Sequence, residues 1–425
     1  MASQIKASQA TLALVLATIT FAVNFSAWTL FAVMIVELKQ TLNLSNTQVG
    51  ILLSAPILTG ALLRLPVGLL CERFSPKVLW LVQMLITIPP LLLLPAIESF
   101  TEYVFVGLLI GVSGASFTIG IRYITDWFDS DEQGTAMGVF GAGNAGAALS
   151  LILVPYISNL WGSQYIGWVY GALLLVSCVV FGVFAPSTPK YLQVKKTQQL
   201  AFYIKPLTQP NVWRFGLYYY FVFGSFLALL LWLPQYYVNA YQLSFNEASL
   251  LTLLFVTSSS MARAAGGWFA DKFGARQVNW SVFWICLVCL FFLSYPPTTM
   301  TIHGVSKDVN LQIEINVWIF TLLLLVIGIA QGFGRASVYK LVNDYYPEQM
   351  GSVGGFVAML GALGGCTLPV MFGLAVELIG VYSACFMLLY GVLACCMFLM
   401  FLAIKRERYQ QRVFRAKQQN FLEMD

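Results

Sequence analysis

Arg64-Leu65-Pro66-Val67-Gly68-Leu69-Leu70-Cys71-Glu72-Arg73-Phe74 returns later in the chain as Arg263-Ala264-Ala265-Gly266-Gly267-Trp268-Phe269-Ala270-Asp271-Lys272-Phe273, each matched position lying 199 residues on (64 to 263, 68 to 267, 74 to 273). Arginine, glycine, acid, base and phenylalanine at one offset mark an internal repeat. A second pair, Arg122-x-x-x-Asp126-Trp127-Phe128 and Lys340-x-x-x-Asp344-Tyr345-Tyr346, repeats 218 residues apart (122 to 340, 126 to 344). Around these motifs the 425-residue chain is 59% hydrophobic and only 10% charged, against about 25% charge in a soluble domain. Too few charges remain to cover a water-soluble globule of this size. Twelve apolar stretches, from 10–36 to 380–404, are each long enough for a bilayer core of about 30 Å. The one long break, 185–211, holds Pro186, Pro189, Pro206 and Pro210 and splits them six and six. The expected fold is an all-α integral membrane protein of twelve transmembrane helices in two pseudo-symmetric six-helix bundles. Its parts are an N-terminal half 1–184, a linker 185–211, a C-terminal half 212–404 and a basic tail 405–425. Repeats in this parallel sense are related by an axis along the membrane normal.

The 23 Lys and Arg exceed the 18 Asp and Glu by five. With both termini cytoplasmic, about sixteen basic residues fall inside and only Lys39 and Lys307 outside, an asymmetry that sets orientation. The charge is therefore an orientation signal, not an affinity for nucleic acid, and the expected location is the plasma membrane, in bacteria the inner membrane. His303 is the only histidine, and the eight cysteines lie nearly all in apolar runs. Such a chain has little from which to build a metal centre, a histidine relay or a disulfide framework. No metal, no cofactor and no enzymatic activity are expected.

Five basic residues remain inside the spans: Arg64, Arg122, Arg263, Arg335 and Lys340. Each costs about 2.5 to 3.5 kcal/mol at a span centre. Arg64 and Arg263 are symmetry mates with no central carboxylate to neutralise them. Two converging guanidiniums, permanently charged and planar, make a clamp for an anion; snorkelling to the headgroups is the blander reading. Arg122 and Lys340 each have an aspartate four residues on, Asp126 and Asp344, a spacing that favours local ion pairs. Structural or gating pairs are the first reading for both, and substrate contact or coupling the second. Arg335 matches Phe117 at the offset of 218 and faces the pathway if Phe117 does. Glu72, Arg73, Asp271 and Lys272 sit at helix ends, where carboxylates and cations can form a cytoplasmic gate. Glycines crowd span five (Gly134, Gly138, Gly141, Gly143, Gly146) around Asn144, and span eleven from Gly351 to Gly365 before Pro369. Close helix packing accounts for the glycines, but packing alone does not require Asn144.

The turns after Gly68 and Gly267 resemble the loop motif of the major facilitator superfamily, the first copy departing from it with Glu72 and with Ser75-Pro76. Gln133-Gly134-Thr135-Ala136-Met137-Gly138-x-x-Gly141-x-Gly143-Asn144-x-Gly146 and Gly351-x-x-Gly354-x6-Gly361-x-x-Gly364-Gly365-x3-Pro369 resemble the two glycine-rich signatures of the nitrate/nitrite porter family. Tyr339-Lys340-Leu341-Val342 and Tyr219-x-x-x-Phe223-Gly224-Ser225-Phe226 are similar to that family's tenth and seventh spans. The resemblance implies that Arg64 and Arg263 hold the anion, that Asn144 and Tyr219 donate hydrogen bonds to it, and that Phe117 and Phe223 lie above and below a planar ligand. It implies a secondary active transporter of nitrate and/or nitrite, working by alternating access as an exchanger or a proton symporter. The expected partners are the small anion and the bilayer, and the expected functional unit is a monomer. Arg335 departs from the family pattern, which carries a small polar residue there. That extra cation raises the alternative of an organic-anion carrier; a non-transporting anion sensor is the remote alternative.

Overall fold

The structure is a computed structural model that describes residues 2–71, 74–125, 127–128, 133–187, 205–303, 308–346 and 350–422. Glu72, Arg73 and Asp126, with most of the 185–211 linker, lie outside the described residues. Twelve described helices are long and apolar enough to cross a membrane: Ser8–Thr41, Asn46–Leu70, Pro76–Ala96, Phe100–Thr125, Ala136–Leu160, Ser163–Phe184, Pro210–Tyr241, Phe245–Phe273, Ala275–Leu293, Val317–Tyr345, Ser352–Ile379 and Ala384–Arg406. They are spans one to twelve below. Several outrun the apolar windows read from sequence: span one, expected over 10–36, occupies Ser8–Thr41, and span eight begins directly after its Ser244 cap. Caps rather than hydrophobicity set such ends. Ser45, Ser99 and Ser244 each accept from the backbone N–H three residues on, and Gln48, Glu102 and Glu247 reach back to the cap, which satisfies two otherwise unpaired donors at once.

One element was not foreseen. Strands β1 (Thr298–His303) and β2 (Asp308–Ile313) pair antiparallel between spans nine and ten, with Thr298 opposite Ile313 and His303 opposite Asp308. Threonine, isoleucine and valine dominate this stretch, and β-branched side chains suit a pleated ribbon. The membrane portion remains wholly helical.

Four spans break their regular winding; span one does so at Thr29 and Leu30, between the helices Ala2–Trp28 and Phe31–Thr41. Tight 3₁₀ turns occupy Gly111–Ala115 in span four and Ala142–Ala145 in span five, and a π-turn occupies Tyr220–Ser225 in span seven. Such irregular turns re-aim side chains and recur at functional sites. Asn144 and Phe223 each lie inside one of them.

Spans two and eleven hold the two sets of six together on the face opposite the chain termini. A side chain at Gly50 would meet the backbone of Pro369 and Val370, and one at Gly373 the backbone of Asn46 and Thr47. The Glu377 carboxylate accepts from Thr47 N–H at 2.9 Å and from Thr47 Oγ1 at 2.6 Å. It therefore sits on the N-terminus of span two, where the helix dipole favours an anion. Deeper in, Ser54 Oγ donates to the Cys366 carbonyl. Because the obstacle at Gly373 is backbone, Gly373→Val should force these spans apart, at a cost of about 1 to 3 kcal/mol typical of overpacking. Hydrogen–deuterium exchange should then speed up across 46–54 and stay unchanged in span nine.

Candidate functional site

Arg64, Arg263 and Arg335 come from spans two, eight and ten, and are 1%, 5% and 0% exposed. No aspartate or glutamate is buried among the described residues. Three cations thus share the interior without a buried counter-charge, a costly arrangement unless other groups solvate them. Aromatic faces do part of this. The Arg64 guanidinium lies 5.1 Å from the Phe117 ring centre, 5.2 Å from Phe223 and 5.2 Å from Trp28. Arg263 lies 5.4 Å from the same Phe117 ring, and Arg335 lies 4.0 Å from Phe226. Arg64 and Arg263 can therefore be no farther apart than the sum of their distances to Phe117. Phe117 and Phe223, expected above and below the ligand, both lie against Arg64, where ring faces stabilise a buried cation that has no carboxylate.

Asn144 makes a contact that was not expected. With its amide oxygen turned toward the guanidiniums, it accepts from Arg263 Nη1 at 2.9 Å and from Arg335 Nη1 at 3.1 Å. One oxygen from span five thereby ties together two arginines of spans eight and ten. An amide offers both roles, so its N–H₂ group is left as the part able to donate to an anion.

The three arginines are not equivalent. Arg335 Nη2 donates to Ser259 O and Ser259 Oγ, both at 2.7 Å, and its Nε to Gln331 O at 3.4 Å. With Asn144, most of its five donors have protein acceptors. Arg64 Nη1 donates to the Ala358 carbonyl at 3.1 Å, while its buried Nε has no hydrogen-bond partner among the described residues. The buried Tyr219 hydroxyl has none either. Unpaired buried donors are rare and ask for a ligand or water. Arg64 and Tyr219 are thus the groups with donors to spare, and Arg335 is bound into the scaffold.

The glycine signatures shape this cluster. A side chain at Gly141 would lie 2.7 Å from Arg263 Cζ, and one at Gly361 would lie 2.9 Å from Tyr219 Cε1. The bare backbone thus makes room for site side chains. Tyr219 stacks on Phe223, one turn on, at 5.2 Å and 17°, and meets Tyr339 edge-on at 5.0 Å. Tyr339, which sequence reading used only as a mark of resemblance, donates to the Gly354 carbonyl at 3.1 Å and closes the box between Phe117 and Tyr219. Ser259 and Trp28 were missed altogether, and Phe226 was read only as a mark of resemblance, since nothing in their spacing separates them from ordinary packing residues.

Lys340 stays outside the cluster. Its ammonium lies 3.3 Å from Asp344 and 3.3 Å from Asp271, joining spans ten and eight at the face that carries the termini. The expected pair with Asp344 is present, and Asp271 joins it, so the network lies within the second set of six spans. Lys272 lies over Trp268 and Phe273, at 4.8 and 5.6 Å. Arg122 is half-buried on span four.

Residues 16–306 match the Major Facilitator Superfamily. Over 389 residues the chain is 36% identical to the probable nitrate/nitrite antiporter NarK1 of Thermus thermophilus, covering 88% of this chain and 87% of that protein. The chain belongs to the Major Facilitator Superfamily, within its nitrate/nitrite porters. This porter is also 27% identical over 375 residues to the nitrite extrusion protein of Bacillus subtilis (strain 168), covering 88% of this chain and 89% of that one. In fold it is similar to the crystal structure of a bacterial homologue of the human lysosomal transporter Spinster, in an inward-facing and occupied conformation. The TM-score is 0.69 at 13% identity, covering 92% of this chain and 96% of that one. The porter is therefore a multi-pass membrane transporter of anions and not an enzyme.

In Asn144→Asp a carboxylate would sit between Arg263 and Arg335 and compete with any anion for their charge. Anion affinity, measured by calorimetry on the purified porter, should fall at least about tenfold. Asn144→Leu should also lower it, by loosening Arg263.

Proposed function

We propose that this porter carries nitrate and nitrite by alternating access, exchanging one anion for another at Arg64 and Arg263. The observation that carries the reading is the cluster of three buried guanidiniums without a buried carboxylate among the described residues, with spare donors on Arg64 and Tyr219. A planar, weakly hydrated monovalent anion suits guanidinium forks, the Tyr219 hydroxyl, the Asn144 amide and aromatic walls. The names of the relatives, a probable nitrate/nitrite antiporter and a nitrite extrusion protein, point the same way. So does the probable nitrate transporter NarT of Staphylococcus haemolyticus (strain JCSC1435), 28% identical over 383 residues.

Exchange rests on electrostatics. Two unit charges about 10 Å apart repel by on the order of 2 kcal/mol at an effective dielectric near 20. An empty site therefore resists bringing the two halves, 1–184 and 212–404, together around it. An anion removes much of that repulsion. Among the described residues the site holds neither a carboxylate nor a histidine that could carry a proton. The excess of basic residues on one side supports cytoplasmic termini, and the Lys340 pairs with Asp271 and Asp344 support a gate on the face that carries the termini, to which Lys272 and Arg122 belong in this reading; the expected gating residues Glu72, Arg73 and Asp126 lie outside the described residues. The monomer holds the whole pathway.

The organic-anion reading draws on Arg335, the third cation. Its hydrogen bonds to Ser259, Gln331 and Asn144 favour a positioning role instead, and Arg335→Asn separates the two. A positioning arginine predicts weaker nitrate binding without any gain of carboxylates, whereas selective loss of carboxylate binding would favour the organic-anion carrier.

Arg64→Lys and Arg263→Lys keep the charge but lose the planar fork, so each should slow nitrate uptake into proteoliposomes by about tenfold or more. Wild-type vesicles loaded with nitrite should take up nitrate much faster than empty ones. Equal rates would refute exchange while leaving the binding site standing.

A further inference from the structure

We infer that the porter has a second site, for an alkylammonium group, in a cage at the end of span seven on the face opposite the termini. A cavity of about 300 Å³ there is lined by Tyr236, Tyr241, Tyr295, Phe320 and Tyr382, with Glu314 on its wall. All of these belong to the second half of the chain, outside the contact between spans two and eleven and separate from the arginine cluster.

Tyr236, Tyr241, Phe320 and Tyr382 pack directly on one another, with centres of neighbouring rings 5.0 to 6.3 Å apart, and together form one aromatic wall of the cavity. Tyr236 and Phe320 lie parallel, 5.0 Å apart at 2°. Tyr241 is inclined 53° to each of them, and Tyr382 stands at 76° to Tyr236. Ring faces carry negative potential, so a cation in the cavity is attracted to the ring surface that this wall leaves uncovered. The carboxylate of Glu314 adds a full negative charge, and the residues lining the cavity include no lysine, arginine or histidine. Nitrate would be repelled here. A neutral apolar ligand would gain nothing from Glu314, and a metal ion would find one carboxylate where it needs several oxygens. A methylated ammonium, apolar on its surface and charged at its centre, matches both the rings and the acid. The cage opens beside the ends of spans seven, nine and eleven (Tyr241, Leu293, Ile379), so the group could come from a free amine or from a lipid headgroup.

The test uses the full chain in maltoside micelles, titrated calorimetrically with choline chloride against sodium chloride at equal ionic strength. The uncharged isostere 3,3-dimethylbutanol is the control. Saturable choline binding is expected, unchanged by nitrate. It should be about tenfold tighter than binding of the isostere, and about tenfold weaker in Glu314→Gln and in Tyr382→Leu. Glu314 is exposed and Tyr382 is 38% exposed, so both variants should keep the wild-type melting temperature, which is checked in the same preparations. If free choline does not bind, nanodiscs decide the headgroup source. Phosphatidylcholine should then stabilise the wild type over phosphatidylglycerol, and Glu314→Gln should abolish the difference. Equal binding of choline and its isostere overturns the site, as does the absence of both effects.

Discussion

Three guanidiniums held inside the bundle repel one another, and much of the central architecture serves to make that repulsion tolerable. Trp28, Phe117, Phe223 and Phe226 turn ring faces toward the arginines. Ala358, Ser259 and Gln331 supply oxygens to Arg64 and Arg335. These groups solvate the charge without cancelling it, unlike a carboxylate. What remains is a region of positive potential in a poorly hydrated interior, where an anion gains far more than it would in water.

Closeness of backbones is the second condition. Glycines at 50, 141, 361 and 373 let spans and side chains approach where any Cβ would intervene. They act at two depths: Gly50 and Gly373 seal one face, while Gly141 and Gly361 seat Arg263 and Tyr219. Asn144 links these levels, because its oxygen on span five reaches arginines on spans eight and ten. A movement of one set of spans against the other must stretch or break that link.

The number of spans and the arginine pair were legible in the chain because both rest on one-dimensional signals. Apolar runs fill a bilayer, and a repeat of 199 residues makes Arg64 and Arg263 equivalent. The Lys340–Asp344 pair followed from helical spacing alone, whereas Asp271 joined it only through the packing of span eight on span ten. The hydrogen-bond direction at Asn144 was not legible, since an amide can donate or accept and only the arrival of two guanidiniums decides. Nor were the π-turn at Tyr220–Ser225 or the placement of Phe223 against Arg64, which depend on how span seven winds in three dimensions. Arg335 was visible as a departure, but its bonds to Ser259 were not, since they depend on the packing of span eight on span ten.

The absence of a buried acid among the described residues also has an electrical side. Guanidiniums fixed to the helices do not cross the membrane, so the charge that crosses is the anion's own. One elementary charge moved through 100 mV is worth about 2.3 kcal/mol. Under one-for-one exchange of monovalent anions, the voltage that opposes one leg of the cycle assists the other by the same amount. Concentration gradients of the two anions, and not the membrane potential, would then set the direction of net movement.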